Sequence, residues 1–116
     1  MEETWYTGVA DELARCLTDA EACAEVCEQL LERVARDRNG ALQRRVVDAV
    51  VGPAAVARVL IDLIDHPQQL VLAAATLCRD AATDAAHELA DAPEATDAVR
   101  ALRRCADSCA ALLDAV

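Results

Sequence analysis

Small and apolar residues recur at alternating spacings of three and four along almost the whole chain, which is the period of an amphipathic α-helix. Three dipeptides interrupt this pattern: Asn39-Gly40, His66-Pro67 and Ala92-Pro93. The segments that they separate are roughly 8–38, 41–65, 67–91 and 94–116. We interpret Asn39-Gly40 as the end of the first helix, because Asn and Gly close helices in a left-handed conformation. The sequence therefore predicts four helices joined by short connections.

Each segment carries one continuous seam of inward-facing residues. The first seam reads Val9, Leu13, Cys16, Ala20, Cys23, Cys27, Leu30 and Val34. The second reads Gln43, Val47, Val50, Ala54, Ala57, Ile61 and Ile64. The third reads Val71, Ala74, Cys78, Ala81 and Ala85, and the fourth reads Ala95, Ala98, Leu102, Cys105, Cys109, Leu112 and Val116. Seams of this kind in four helices with short connections are typical of an antiparallel up-down-up-down four-helix bundle. We expect one such domain over residues 1–116, with the second helix kinked or split at Gly52-Pro53.

Composition and charge further narrow the fold class and the kinds of partner that this chain can have. The chain has 27 Ala, no Phe, and single Trp and Tyr residues, which favours helices over a β-sandwich or barrel. Its formal charge of -10 disfavours nucleic acid as a partner. No run approaches the roughly 18 apolar residues of a membrane span, and the start lacks the basic and apolar regions of a secretory signal. We therefore expect a cytoplasmic protein, in which thiols stay reduced.

Six cysteines are the chemical feature of this chain, and all of them lie on the predicted seams. If the helix ends are level at the turns, a rise of about 1.5 Å per residue lets heights be compared by counting. The count sets Cys109 level with about Ala22. It brings five thiols into one layer about 8 Å thick: Cys23, Cys27, Cys78, Cys105 and Cys109. The same count places Cys16 about two turns away, near the end of the bundle where His66 lies.

Two CxxxC pairs, Cys23 with Cys27 and Cys105 with Cys109, give the strongest indication of a metal site. Residues four apart on a helix have Cβ atoms about 5 to 6 Å apart on one face. Two sulfur atoms can close on a metal ion across that distance, and thiolates select Cu(I). Zinc is the second choice, since these four cysteines could supply a tetrahedral site. An iron–sulfur cluster comes third, and the alternative without metal is that Cys packs here as a small hydrophobic residue.

The cysteine spacings resemble those of a known family. The matching stretches are Cys16-x6-Cys23-x3-Cys27, Leu77-Cys78 and Arg104-Cys105-Ala106-Asp107-Ser108-Cys109-Ala110. They are similar to the cysteine-rich four-helix-bundle copper-binding proteins, the cytosolic copper storage proteins among them. The resemblance implies that thiolates line the bundle and hold Cu(I), usually in tetramers.

This chain departs from the storage proteins in the number of its thiols, because the storage members have roughly twice as many core cysteines. Here other residues fill seam positions that could carry thiols: Ala20, Ala74, Ala81, Ala85, Ala98 and Leu102. We therefore expect one small copper cluster of one to a few ions.

Three functions remain open on the sequence. The first is a cytosolic Cu(I) buffer, sensor or donor, with the five layered thiols as ligands and Cys16 and His66 at an entry point. The second is an enzyme in which a Cu(I)-thiolate centre activates dioxygen or a substrate thiol, for which the sequence assigns no catalytic residue. The third is a metal-free helical scaffold descended from copper binders.

Trp5 and Tyr6 precede the first seam. By the same count of the helical rise, they extend beyond the ends of the shorter helices. We expect this end either to fold back as a cap or to pack on a partner chain, because aromatic residues are enriched at interfaces. A homo-oligomer formed through the Trp5 and Tyr6 end is the corresponding prediction.

Overall fold

The protein is all-α, as the periodicity predicts. The computed structural model describes residues 5–116, and no β-strand occurs among them. The four helices are α1 (Ala10–Ala35), α2 (Gly40–Asp62), α3 (Gln68–Glu88) and α4 (Thr96–Ala115). Two 3-10 turns, Trp5–Val9 and Pro93–Ala95, precede α1 and α4.

The helices pack as a long, narrow bundle of 57 × 21 × 17 Å. Helices α1 and α3 each contact both α2 and α4. Helix α2 continues from Gly40 to Asp62 with Pro53 inside it, so the helix is not split there. The up-down-up-down order and the kink at Gly52-Pro53 stay predictions. No helix in the described part of the chain is long and apolar enough to cross a membrane.

The Asn39-Gly40 dipeptide opens α2 rather than closing the helix before it. Helix α1 already ends at Ala35. The side-chain oxygen of Asn39 accepts a hydrogen bond from the backbone N–H of Leu42 at 3.1 Å, which makes Asn39 the N-cap of α2. No residue from 5 to 116 has a positive φ. The prediction was wrong because Asn favours both ends of a helix, and the apolar period does not distinguish a cap from a stop.

The buried residues confirm the first predicted seam, but the buried face of α2 differs from the second predicted seam. Every predicted seam residue of α1 is buried. In α2, Val47 is 43% exposed and its neighbour Val46 is completely buried. The buried face of α2 consists of Val46, Val50, Pro53, Ala54, Ala57 and Leu60. The apolar pairs Val46-Val47 and Val50-Val51 fit two helical registers about equally well, so the sequence alone did not choose between them.

Trp5 and Tyr6 fold back onto the bundle. Their side chains are half-buried and pack against the core. The two rings meet edge to face, with centroids 5.6 Å apart at an angle of 84°, which is a favourable arrangement for aromatic pairs. Of the two arrangements that we expected for this end, the structure has the cap. A homo-oligomer formed through the same end stays a prediction.

Candidate metal centre

All six cysteines are completely buried and carry free thiols. Helix α1 supplies Cys16, Cys23 and Cys27, helix α3 supplies Cys78, and helix α4 supplies Cys105 and Cys109. Their burial follows from the seams, since each lies at a core position of its helix. Three helices therefore direct thiols into one apolar interior.

A triad of cysteines from α3 and α4 forms the tightest group. The sulfur atoms of Cys78, Cys105 and Cys109 all lie within 4.8 Å of one another. The Sγ atoms of Cys78 and Cys105 are 3.4 Å apart. Cys105 and Cys109 are one turn apart on α4, so both point to the same side of that helix and meet Cys78 from α3. Three sulfur atoms in this arrangement can converge on a single soft metal ion.

Cys16 joins this group, which corrects the prediction that it stands apart near one end. Its Sγ lies 3.5 Å from the Sγ of Cys109. Counting had set Cys109 level with about Ala22. The Ser108 hydroxyl donates a hydrogen bond to the Asp19 carboxylate, which shows a displacement of α4 along α1 in the same direction. The two contacts lie about one to two helical turns from the counted positions.

The count assumed level helix ends at every connection, with the first helix reaching about residue 38. Helix α1 ends at Ala35. A shorter α1 sets each residue of α4 level with a lower-numbered residue of α1, which is the direction of the observed displacement.

Cys23 and Cys27 extend the cluster along α1. Cys23 interacts with Cys105 and with Cys27, and it feels the charges of Cys27 and Cys78. Cys109 interacts with Cys105, Cys16 and Cys78. Interactions between neighbouring thiols therefore link all six cysteines, and two of these links are direct sulfur contacts of 3.4 to 3.5 Å. We call this set the cysteine cluster.

The cysteine cluster favours the protonated form of its thiols. Hydrogen bonding with Cys105 raises the pKa of Cys78, a bond with Cys109 opposes this, and burial adds to the rise, so that the pKa reaches about 12. Hydrogen bonds with Cys105, Cys16 and Cys78, together with burial, raise the pKa of Cys109. A bond with Cys105 lowers the pKa of Cys23, but Cys27 and burial raise it overall. Because a metal binds the thiolate, a metal ion bound at this site would displace protons.

The Asp19–Ser108 hydrogen bond is a polar contact that sequence reasoning missed. Ser108 is only 5% exposed, and its hydroxyl donates to the half-buried Asp19 carboxylate across the α1–α4 interface. The available signal was the position of Ser108 between Cys105 and Cys109. Nothing in the local sequence identified its partner, which lies 89 residues away in the chain.

His66 lies away from the triad, in the connection between α2 and α3. It is exposed, and its backbone N–H donates to the carbonyl of Leu63 at 2.9 Å. Among the described residues, one group of three metal-ligating side chains has its ligand atoms close together: Cys78, Cys105 and Cys109. His66 is not part of it. The predicted role of His66 at an entry point stays a prediction.

A comparison with protein families matches residues 9–114 to the model of the copper storage proteins. The match includes all four helices and all six cysteines. No curated protein and no solved structure matches the chain significantly. Because the family match spans nearly the whole bundle, this chain belongs to the copper storage protein family.

Proposed function

We propose that this protein binds a small cluster of Cu(I) ions through the thiolates of its cysteine cluster and acts as a buffer, sensor or donor of copper in the cytoplasm. The observation that carries the proposal is the convergence of the Cys78, Cys105 and Cys109 sulfur atoms within 4.8 Å. Membership of the copper storage protein family supports copper as the ligand.

The ligand set supports the monovalent ion. Thiolates are soft ligands, and soft ligands select Cu(I) over ions that prefer oxygen. Two sulfur contacts, at 3.4 Å between Cys78 and Cys105 and 3.5 Å between Cys16 and Cys109, bring thiols from three helices together. Bound copper ions can therefore share sulfur atoms between neighbouring sites. Zinc remains the second choice, with Cys23, Cys27, Cys105 and Cys109 as its four ligands.

The number of thiols limits how many Cu(I) ions the protein can hold. If each of six thiolates bridges two three-coordinate ions, the cluster holds about four Cu(I) ions. Most of the other seam positions that could have carried thiols are buried but have no ligand atom: Ala20, Ala74, Ala85, Ala98 and Leu102. The bundle therefore has no further thiol ligands with which to store copper in larger amounts.

An anaerobic titration of the reduced apoprotein with Cu(I) against a competing chelator tests this function. We expect Cys105→Ala to weaken Cu(I) binding by more than about tenfold, because changes that only orient metal ligands already cost that much. Leu102→Ala is the matched control, since it truncates a buried side chain on the same helix and leaves every sulfur in place. It should lower stability but retain the Cu(I) affinity.

Replacing Cys23, Cys27, Cys105 and Cys109 together by Ala should abolish competition with the chelator. Equal competition by the wild type and this quadruple variant would refute the copper site. A parallel titration with Zn(II) distinguishes the two metals, because a tetrahedral zinc site would saturate at one ion.

His66 has a separate proposed role at the end of the bundle, where it would act as a transient ligand for incoming copper. His66→Ala should then slow loading and leave the final stoichiometry unchanged. A stopped-flow comparison with the wild type measures this difference.

A further inference from the structure

The cysteine cluster is closed to solvent, so copper cannot reach it unless side chains move. All six cysteines have 0% exposure. Apolar residues cover most of the cluster, and opening such packing exposes apolar surface to water. A hydrogen bond between two side chains opens more easily, because water can replace each partner. A polar contact in the wall of the cluster is therefore the part of the wall that opens at the lowest cost, and an entrance there would be additional to the one proposed at His66.

The Asp19–Ser108 hydrogen bond lies in that wall, directly between two groups of thiols. On α1, Asp19 comes three residues after Cys16 and four before Cys23. On α4, Ser108 comes between Cys105 and Cys109. The Cys16–Cys109 contact and the Cys23–Cys105 interaction cross the same pair of helices. Separation of Asp19 from Ser108 would therefore open a path to sulfur atoms on either side.

An open cavity of about 220 Å³ lies outside this hydrogen bond, between α1 and α4. Two carboxylates, of Asp19 and Asp97, line it together with the guanidinium groups of Arg100 and Arg104. Arg104 is exposed and forms no ion pair within residues 5–116. Arg100 reaches only its neighbour Asp97, at 3.9 Å and with both side chains largely exposed, a contact of little strength in water. Two guanidinium groups are thus available to an anion beside the hydrogen bond.

We propose that the Asp19–Ser108 pair is a side gate to the cysteine cluster, and that Arg100 and Arg104 hold a small carboxylate-bearing thiol that delivers Cu(I) through it. The copper step rests on the function proposed above. In that step a cysteine thiol of the protein forms a bond to copper and the bond between copper and the carrier sulfur breaks. The proton of the protein thiol passes to the carrier sulfur, and copper remains Cu(I) throughout.

The gate is tested first without copper, by the rate at which an anionic aromatic disulfide, DTNB, modifies the thiols of the reduced apoprotein. Ser108→Ala removes the donor of the hydrogen bond and leaves all six cysteines in place. We expect it to speed modification by about tenfold, the factor that corresponds to losing a hydrogen bond to a charged group. Ser108→Thr keeps a hydroxyl and should restore a rate near that of the wild type.

A general loosening of the bundle is separated from gate opening by Leu60→Ala, which truncates a completely buried side chain of α2, a helix that carries no cysteine and neither partner of the hydrogen bond. If Ser108→Ala accelerates modification more than Leu60→Ala while destabilising the protein less, the gate is supported. If the rates of both variants simply follow their loss of stability, the gate is refuted.

Copper delivery is tested by stopped-flow transfer from the Cu(I) complex of glutathione and, separately, of the uncharged thiol 2-mercaptoethanol. We expect Ser108→Ala to speed transfer from both without changing the equilibrium affinity. Arg100→Gln with Arg104→Gln should slow transfer from glutathione alone. Slower transfer in His66→Ala, with no change in Ser108→Ala, would place the entrance at the end of the bundle and overturn the gate. Absence of copper binding at equilibrium would refute the proposed function and leave the DTNB result as the independent test of the gate.

Discussion

The copper-free protein is expected to lose stability as the pH rises above 9, and Cys78→Ala should remove part of that loss. Hydrogen bonding with Cys105, opposed by Cys109 and reinforced by burial, raises the pKa of Cys78 from 9.0 to about 12 in the folded protein. Below pH 9 the thiol is protonated in both states. Between pH 9 and 12 the unfolded chain loses this proton while the folded chain keeps it, so the free energy of unfolding falls.

The magnitude follows from the two pKa values of Cys78. A difference from 9.0 to about 12 corresponds to about 4 kcal/mol. That is a large share of the roughly 5 to 15 kcal/mol that stabilises a typical domain. The pKa values of Cys23 and Cys109 are raised as well, so their ionisation acts in the same direction. The chain has no lysine, which removes the most common side chain that titrates in this range.

Urea unfolding of the reduced apoprotein between pH 7 and pH 11.5 measures the effect. The stability advantage of the wild type over Cys78→Ala should shrink steadily above pH 9. Val71→Ala is the matched control, because it truncates a completely buried side chain of the same helix that does not titrate. Its difference from the wild type should be independent of pH. Parallel stability curves for the wild type and Cys78→Ala would refute this reasoning.

Further predictions concern the copper-loaded state and the helices. Loading with Cu(I) at neutral pH should release protons and raise the melting temperature, because copper binds deprotonated thiols of the folded state. A pH indicator in weakly buffered solution measures the released protons, and calorimetry measures the melting temperature. Asn39→Ala should cost about 1 kcal/mol by urea unfolding, since it removes the N-cap of α2. Leu60→Ala should cost roughly 2 to 5 kcal/mol because Leu60 is completely buried. Val59→Ala, at a position 50% exposed, should change stability by about 0.5 kcal/mol or less, and equal losses for these two variants would contradict the register of α2.

The helices were predictable because their signals are local. In α1, Leu13, Cys16, Ala20 and Cys23 follow a single period, and most of the residues between them are polar, which favours burial of one face. Helix α2 was less clear, because Val46 and Val47 are adjacent and either can begin an inward face. Contact with α1 and α3 selects Val46, and that selection depends on the other helices rather than on α2 itself.

The burial of the six cysteines was predictable, but their arrangement was not. Periodicity places every cysteine on a buried face, and all six are buried. The position of Cys16 beside Cys109 depends on how far α4 lies displaced along α1. The partner of Ser108 depends on the same displacement. A displacement between helices is a property of their packing, and a count of residues along each helix does not contain it.

Neighbouring thiols of the cysteine cluster interact, so copper ions bound there would share ligands. Cys109 interacts with Cys16 from α1 and with Cys78 from α3, and it lies one turn from Cys105 on its own helix. Under the proposed function, a copper ion bound to the Cys109 thiolate would draw on sulfur atoms that a second ion would also use. Binding of the first ion would fix the positions of these side chains and remove their protons, so the second ion would meet a site that is already ordered and ionised. We infer that the cysteine cluster fills as one unit, over a narrower range of free Cu(I) than six independent thiols would.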